Sequence, residues 1–127
     1  MAMYGQGVTR GKVAILGIDA TINQACAAFF LNGDVTPKFL FYLFTHHYER
    51  IRKMGHGAQQ TNLSGTLIKT IPIAFPSPLE EQNQIVSILS DLDRKIQVES
   101  QRKTALETLF KSLLHHLMTG SVRVNNI

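Results

Sequence analysis

Apolar residues recur in alternating steps of four and three along the last third of the chain, at Ile85, Leu89, Leu92, Ile96, Leu106, Phe110, Leu113 and Leu117. This is the spacing of a coiled-coil seam, a stripe on one helix that packs against a second helix. Glu99 and Lys103 take the two central seam positions. Paired across a seam, such charges would fix register more than they add stability; equally, they fit a simple solvated break in mid-helix. Ser77-Pro78-Leu79-Glu80 supplies the start. Ser77 can accept from the free N–H groups, Pro78 suits the first helical position, and Glu80 completes a capping box. No Gly or Pro follows until Gly120. The pattern predicts one helix of roughly 40 residues, about 60 Å long at ~1.5 Å per residue. Such a helix cannot bury its seam against a small domain alone, so it calls for a partner helix.

The preceding residues read differently. Val13 to Leu16, and then residues 20–31, are short runs of strand character, with Asn23-Gln24 in a turn or strand end. Thr36-Pro37 marks a helix start, followed by Phe39, Leu40, Leu43, Phe44, Tyr48, Ile51 and Met54 at helical spacing, with Gly55 as the stop. Residues 55–66 form a Gly- and amide-rich loop. Ile71-Pro72-Ile73-Ala74-Phe75 reads as an edge strand, because Pro cannot donate to a ladder. The expected fold class is α+β. A small mixed sheet with a packed helix occupies residues 1–78, the long helix 79–120, and a tail 121–127.

Composition narrows the class. Hydrophobic residues at 44% and charged residues at 17% are globular proportions, not those of a disordered chain. The single cysteine, Cys26, rules out an internal disulfide and fits a reducing compartment. No signal-peptide pattern precedes the domain, and the most apolar run, Phe39 to Phe44, is far too short to span a bilayer. The expectation is a soluble, cytoplasmic protein with no membrane partner. Charge is unevenly placed: residues 1–78 hold seven basic and three acidic residues, whereas residues 79–127 are balanced. The whole excess of +4 lies in the first segment. That suits a surface facing a polyanion, and equally an ordinary solvated face.

Candidate chemistry is of the binding kind. Gln59, Gln60 and Asn62 carry amides that can pair bidentately with adenine in the major groove, and Gly55 and Gly57 permit close backbone approach. By themselves they fit better a polar loop satisfying its own backbone. Arg10 and Lys12 flank Gly11, placed either for phosphate or guanine or in an ordinary basic turn. His56 and Lys69 are weaker phosphate candidates, as are Arg50, Arg52 and Lys53, whose place in a last helical turn already suits the helix dipole. His46-His47 and His115-His116 are adjacent pairs that diverge on a helix, so no metal site is expected. Cys26, between alanines, reads as core. No phosphate-binding, dinucleotide-binding, hydrolase, methyltransferase or nuclease motif occurs, so neither catalysis nor a cofactor is expected.

Four stretches then combine: Met3-Tyr4-Gly5 with Arg10-Gly11-Lys12-Val13; Ala20-Thr21-Ile22-Asn23-Gln24-Ala25; Gln59-Gln60-Thr61-Asn62-Leu63-Ser64; and Ile71-Pro72-Ile73 with Pro78-Leu79-Glu80-Glu81-Gln82. In this order and spacing, with Leu117-Met118-Thr119-Gly120 at the helix end, the chain resembles the specificity subunit of type I restriction-modification systems. The resemblance covers nearly the whole chain. It implies a target-recognition domain that reads half of a split DNA site. It also implies a long helix that pairs antiparallel with another and holds methyltransferase subunits, joined in the full complex by the restriction subunit. Catalysis would belong to those partners. The family carries two recognition domains and two helices, and a strand resembling Gly-Asp-Ile-Leu before the Tyr-Gly motif. Only one incomplete domain and one helix are expected here. The helix would pair with a second copy or with a helix of another specificity subunit. The alternative expectation is an assembly module that no longer reads DNA.

Overall fold

A computed structural model describes residues 1–5, 8–54 and 62–124 of the chain. The described elements are four helices: α1 (Pro37–His46), α2 (Tyr48–Met54), α3 (Gly65–Lys69) and α4 (Leu79–Met118). They fall in two units, Met1–Ser87 and Ile88–Ile127.

The first unit is built on α1 and α2. Thr36 caps α1, its side chain accepting from Phe39 N at 3.3 Å, and Pro37 follows at the first helical position. Thr36 therefore satisfies one of the N–H groups that a helix start leaves free. Periodicity predicts one helix from here to Met54. The backbone instead turns at His47 (φ −85°, ψ 6°), splitting it in two. The register survives, because His47 N donates to Leu43 O and Ile51 N to His47 O. Leu40, Phe44 and Ile51 therefore face one core with Leu63, Ile68 and Ile71. Phe29 packs its ring on Phe44 at 5.1 Å.

The expected mixed sheet is not there. Among the described residues the β-pairing amounts to one antiparallel bridge, Ala2 to Cys26. The segment Met1–Met3 does behave as a short strand. Ala2 exchanges bonds with Lys12 O and Gly11 N, while Met3 N donates to Ala25 O and Ala27 N to Met1 O. Pairing stops after three residues. The runs at 13–16 and 20–31 have strand composition, but a strand needs a neighbour along its length, and no ladder forms beside them. Several of their apolar side chains stay out of the core, Ile15 being 50% exposed and Phe30 96%, while Val13, Ala27 and Leu31 pack against its edge. Residues 71–75, expected as an edge strand, are likewise irregular, with Ile71 drawn into the core, and the unforeseen helix α3 begins at Gly65, inside the expected loop. Ser64 caps that helix, accepting from Leu67 N at 3.1 Å. Competition between a local cap and a sheet without partners favours the cap. The Met1 amine, half-buried against Ala27 O, has its pKa lowered by burial, with Cys26 acting the other way.

Helix α4 is 40 residues long. Glu80 and Glu81 in its first turn and His115 and His116 in its last suit the helix dipole. Gln82 and Val86 are buried within the first unit. The helix ends where Gly120 takes φ +70°, with Thr119 Oγ1 donating to His115 O and Ser121 Oγ to His116 O. Within the second unit the seam residues carry large exposed fractions, among them Leu92, Ile96, Leu106, Phe110, Leu113 and Leu117. Among the described residues no helix is long and apolar enough to cross a membrane.

Candidate nucleic-acid interface

The three residues Met1–Met3 hold two of the candidate segments side by side. On one edge, Ala2 O accepts from Gly11 N at 2.9 Å and Ala2 N donates to Lys12 O at 2.8 Å. At the end of the segment, Met3 O accepts from Leu63 N at 2.9 Å. The turn bearing Lys12 and the approach to Asn62 are thus fixed to neighbouring residues of one short strand. Leu63, 1% exposed, anchors the second segment in the core, so Asn62 is a half-buried residue beside a fixed point.

The turn at 9–12 is set by the backbone. Lys12 N donates to Thr9 O at 3.1 Å, and Gly11 takes φ +85°. This is left-handed backbone that glycine adopts without a Cβ penalty. Gly11 also lies flush on α2, where an added Cβ would come 3.5 Å from Ile51 Cγ2 and 3.6 Å from Arg52 N. Tyr48 clips the same loop from outside, its hydroxyl donating to Val8 O at 2.6 Å. The two basic residues of the turn are therefore unlike. Lys12 is exposed, whereas Arg10 is 7% exposed. Lys69, the last residue of α3, is exposed and follows Asn62 by two short turns of chain. Arg52 is partly covered and pairs with Glu49 at 3.8 Å, while Arg50 and Lys53 are exposed on α2. His56, Gln59 and Gln60 lie outside the described residues. Among the described residues no group of three or more His, Cys, Asp or Glu side chains is placed to hold a metal ion. Cys26, expected in the core, is a free, exposed thiol.

A family model described as the type I restriction modification DNA specificity domain matches residues 3–108. That span includes the Lys12 turn, Asn62, Lys69 and more than half of α4. The chain belongs to this type I DNA specificity family. Three similar relatives come from Methanocaldococcus jannaschii. The type I restriction enzyme MjaVIII specificity subunit is 30% identical over 91% of this chain and 28% of its own length. The putative MjaX specificity subunit is 31% identical over 90% of this chain and 27% of its own. The MjaIX specificity subunit is 35% identical over 80% and 25%. The chain thus spans about a quarter of the length of these curated relatives. No solved structure matches it significantly.

One residue of this specificity chain has a structural role that its motif did not disclose. Gln82 is fully buried, its amide spent on three backbone groups: Thr36 N and Asp34 O at the start of α1 and Pro76 O just before α4. A signal existed. Position 82 is three before Ile85 and seven before Leu89. The seam rhythm reserves that position for an apolar residue, so a glutamine there marks a polar task.

Proposed function

We propose that this chain is a non-catalytic DNA-recognition component of a type I restriction-modification complex. The observation that carries the reading is the family match over residues 3–108. The first unit supplies the DNA-facing surface. Lys12 and Lys69 are exposed cations suited to phosphate, and Asn62, with Gln59 and Gln60 of the same loop, is suited to base edges. Arg10 holds the turn that presents Lys12, since its own side chain is buried. His56 belongs to the same loop as a phosphate candidate. The long helix pairs through Ile85, Leu89, Leu92, Ile96, Leu106, Phe110, Leu113 and Leu117, and carries methyltransferase subunits, with the restriction subunit joining the complete complex. The work is done in the cytoplasm, where the DNA is.

Reconstitution with the methyltransferase subunits tests this. Asn62→Ala and Gln59→Ala should relax the preference among methylated sites, because base-edge contacts carry sequence information. Lys12→Ala should weaken binding evenly across sequences. Retention of wild-type site preference by both amide variants would defeat the loop assignment.

A second reading is favoured by the exposed apolar residues of 13–30 and the missing ladder: an assembly module that docks on its partners without reading DNA. Titration of the chain with random-sequence DNA at low salt separates the two, since charge-driven binding is strongest there. Failure to bind in that titration favours the assembly module.

A further inference from the structure

We propose that the turn at residues 23–26 belongs to the DNA-facing surface: Gln24 contacts a base edge beside Asn62, and Asn23 positions both. This rests on the reading that the first unit faces DNA, and adds two residues to that surface.

The turn is closed twice at its base. Cys26 N donates to Asn23 O at 3.1 Å, and Ala25 N donates to the side-chain oxygen Oδ1 of Asn23 at 3.0 Å. Asparagine suits this place because its side chain mimics a backbone turn. Gln24 is thereby a central residue of the turn. The residues after it are tied to the short N-terminal strand. Ala25 O accepts from Met3 N and Ala27 N donates to Met1 O, both at 2.8 Å, with Cys26 bridged to Ala2 between them.

The same Asn23 oxygen decides what lies next to the turn. In a continued antiparallel ladder Met3 and Ala25 would exchange two bonds, Met3 N to Ala25 O and Ala25 N to Met3 O. Only the first forms. Asn23 Oδ1 takes the Ala25 N–H, and Met3 O accepts instead from Leu63 N at 2.9 Å. Asn23 thus ends the ladder and leaves the place beside Ala25 to the segment that carries Asn62. Gln24 precedes Ala25 and Asn62 precedes Leu63, so one residue, Met3, gathers the two amides from distant parts of the chain.

On the other edge of the strand, Ala2 N donates to Lys12 O. Two lanes of roughly 4.8 Å place the Lys12 and Cys26 backbones about 10 Å apart. That is about three nucleotide steps of ~3.4 Å. A phosphate contact at Lys12 and base contacts at Asn62 and Gln24 therefore fit one short stretch of duplex. Gln24 is exposed, and among the described residues nothing is bonded to its amide. Such an amide donates and accepts at once, which matches the adenine edge in the major groove. Having no charge, it releases no counterion at a phosphate, so its use lies in recognition rather than attraction. The pinned turn presents it with little ordering left to be done on binding.

The test uses the chain reconstituted with the methyltransferase subunits, on duplexes carrying its methylated site with each base pair exchanged in turn. Gln24→Ala should relax preference at one base pair, on the order of tenfold or more, close to the pair affected by Asn62→Ala. Salt slope and unfolding midpoint should hold, because the side chain is neutral and exposed. An equal loss on every duplex would make Gln24 a backbone contact and overturn the proposal. So would an unchanged preference while Asn62→Ala relaxes it. Asn23→Ala should relax preference at both base pairs, and Asn23→Asp, which keeps the accepting oxygen, should restore it. Any even loss from the added carboxylate is read separately, as affinity for random-sequence duplex. Equal relaxation in both Asn23 variants, or in neither, overturns the positioning role. If neither Gln24→Ala nor Asn62→Ala alters preference, the underlying reading of this surface fails as well.

Discussion

The side chain of Gln82 and the backbone of Thr36 are joined across 46 residues of sequence: Gln82 Oε1 accepts from Thr36 N at 3.0 Å. The other end of the amide donates to Asp34 O at 2.9 Å and Pro76 O at 2.8 Å. Thr36 is the cap of α1, and Pro76 lies just before α4. One buried amide thus stitches the start of α1 to the start of α4, within the first unit.

Removing that amide should cost more than an average contact. Gln82→Leu would leave one N–H and two carbonyls without this partner. A fully buried orphaned group costs about 1–3 kcal/mol, and these three are only partly buried, so a total at the low end, roughly 2–5 kcal/mol, is expected by urea unfolding. Gln82→Glu should be worse at neutral pH, because a carboxylate would face two carbonyl oxygens. Burial would raise the folded-state pKa of that glutamate above its unfolded value of about 4.3. Its ionisation penalty should therefore be complete above the folded pKa, fade as pH falls from there toward the unfolded pKa, and be gone below it. A pH-independent penalty would show that the substituted carboxyl escapes to water.

Gly11 and Gly65 provide an internal contrast. Gly11 has φ +85°, with Ile51 and Arg52 at ordinary contact distance from an added Cβ. Gly11→Ala should therefore cost about 1–2 kcal/mol through backbone strain rather than collision. Gly65 opens α3 with nothing near an added Cβ and no positive φ. Gly65→Ala should be neutral or stabilising by a few tenths up to about 1 kcal/mol. Chemical denaturation of both variants checks the pair, and equal losses would contradict the assigned turn.

The core should respond according to exposure. Ile51 is 0% exposed, and Ile51→Ala should cost about 2–5 kcal/mol. Ile18 is 75% exposed, and Ile18→Ala should fall within about 0.5 kcal/mol. A large loss at Ile18 in the isolated chain would mean that residues 13–31 are covered after all.

These contrasts show what a sequence can and cannot encode locally. Helix α4 was legible because its start and its seam period, together with a stop at Gly120, are all written in neighbouring residues. The caps Thr36 and, at α3, Ser64 are equally local, although only the first stood out beside a proline. The sheet was misread because Val13–Leu16 and residues 20–31 have strand composition, while pairing depends on partners that composition does not specify. The core position of Cys26 was misread with it. Of the proposed interface, Lys12 and Lys69 were readable as basic residues, but the burial of Arg10 was not. It accompanies a close approach of the turn to Ile51, 40 residues away in sequence, where a Cβ added at Gly11 would come 3.5 Å from Cγ2.

That difference between Arg10 and Lys12 gives the last prediction. In a complex that binds DNA through phosphate contacts, each exposed cation lost should lower the salt dependence by about one unit of slope in log affinity against log salt. Lys12→Ala and Lys69→Ala should each do so without changing the unfolding midpoint of the free chain by much, because both side chains are exposed. Arg10→Ala should instead lower stability, since its side chain is 7% exposed and packed in the turn, and should weaken DNA binding only as far as the turn loosens. Filter binding or fluorescence titration across a salt series, paired with thermal unfolding, reads both quantities. If Arg10→Ala reduced the slope while leaving stability untouched, Arg10 would be a phosphate ligand that swings out on binding. If Lys12→Ala left the slope unchanged, the turn at 9–12 would not face DNA.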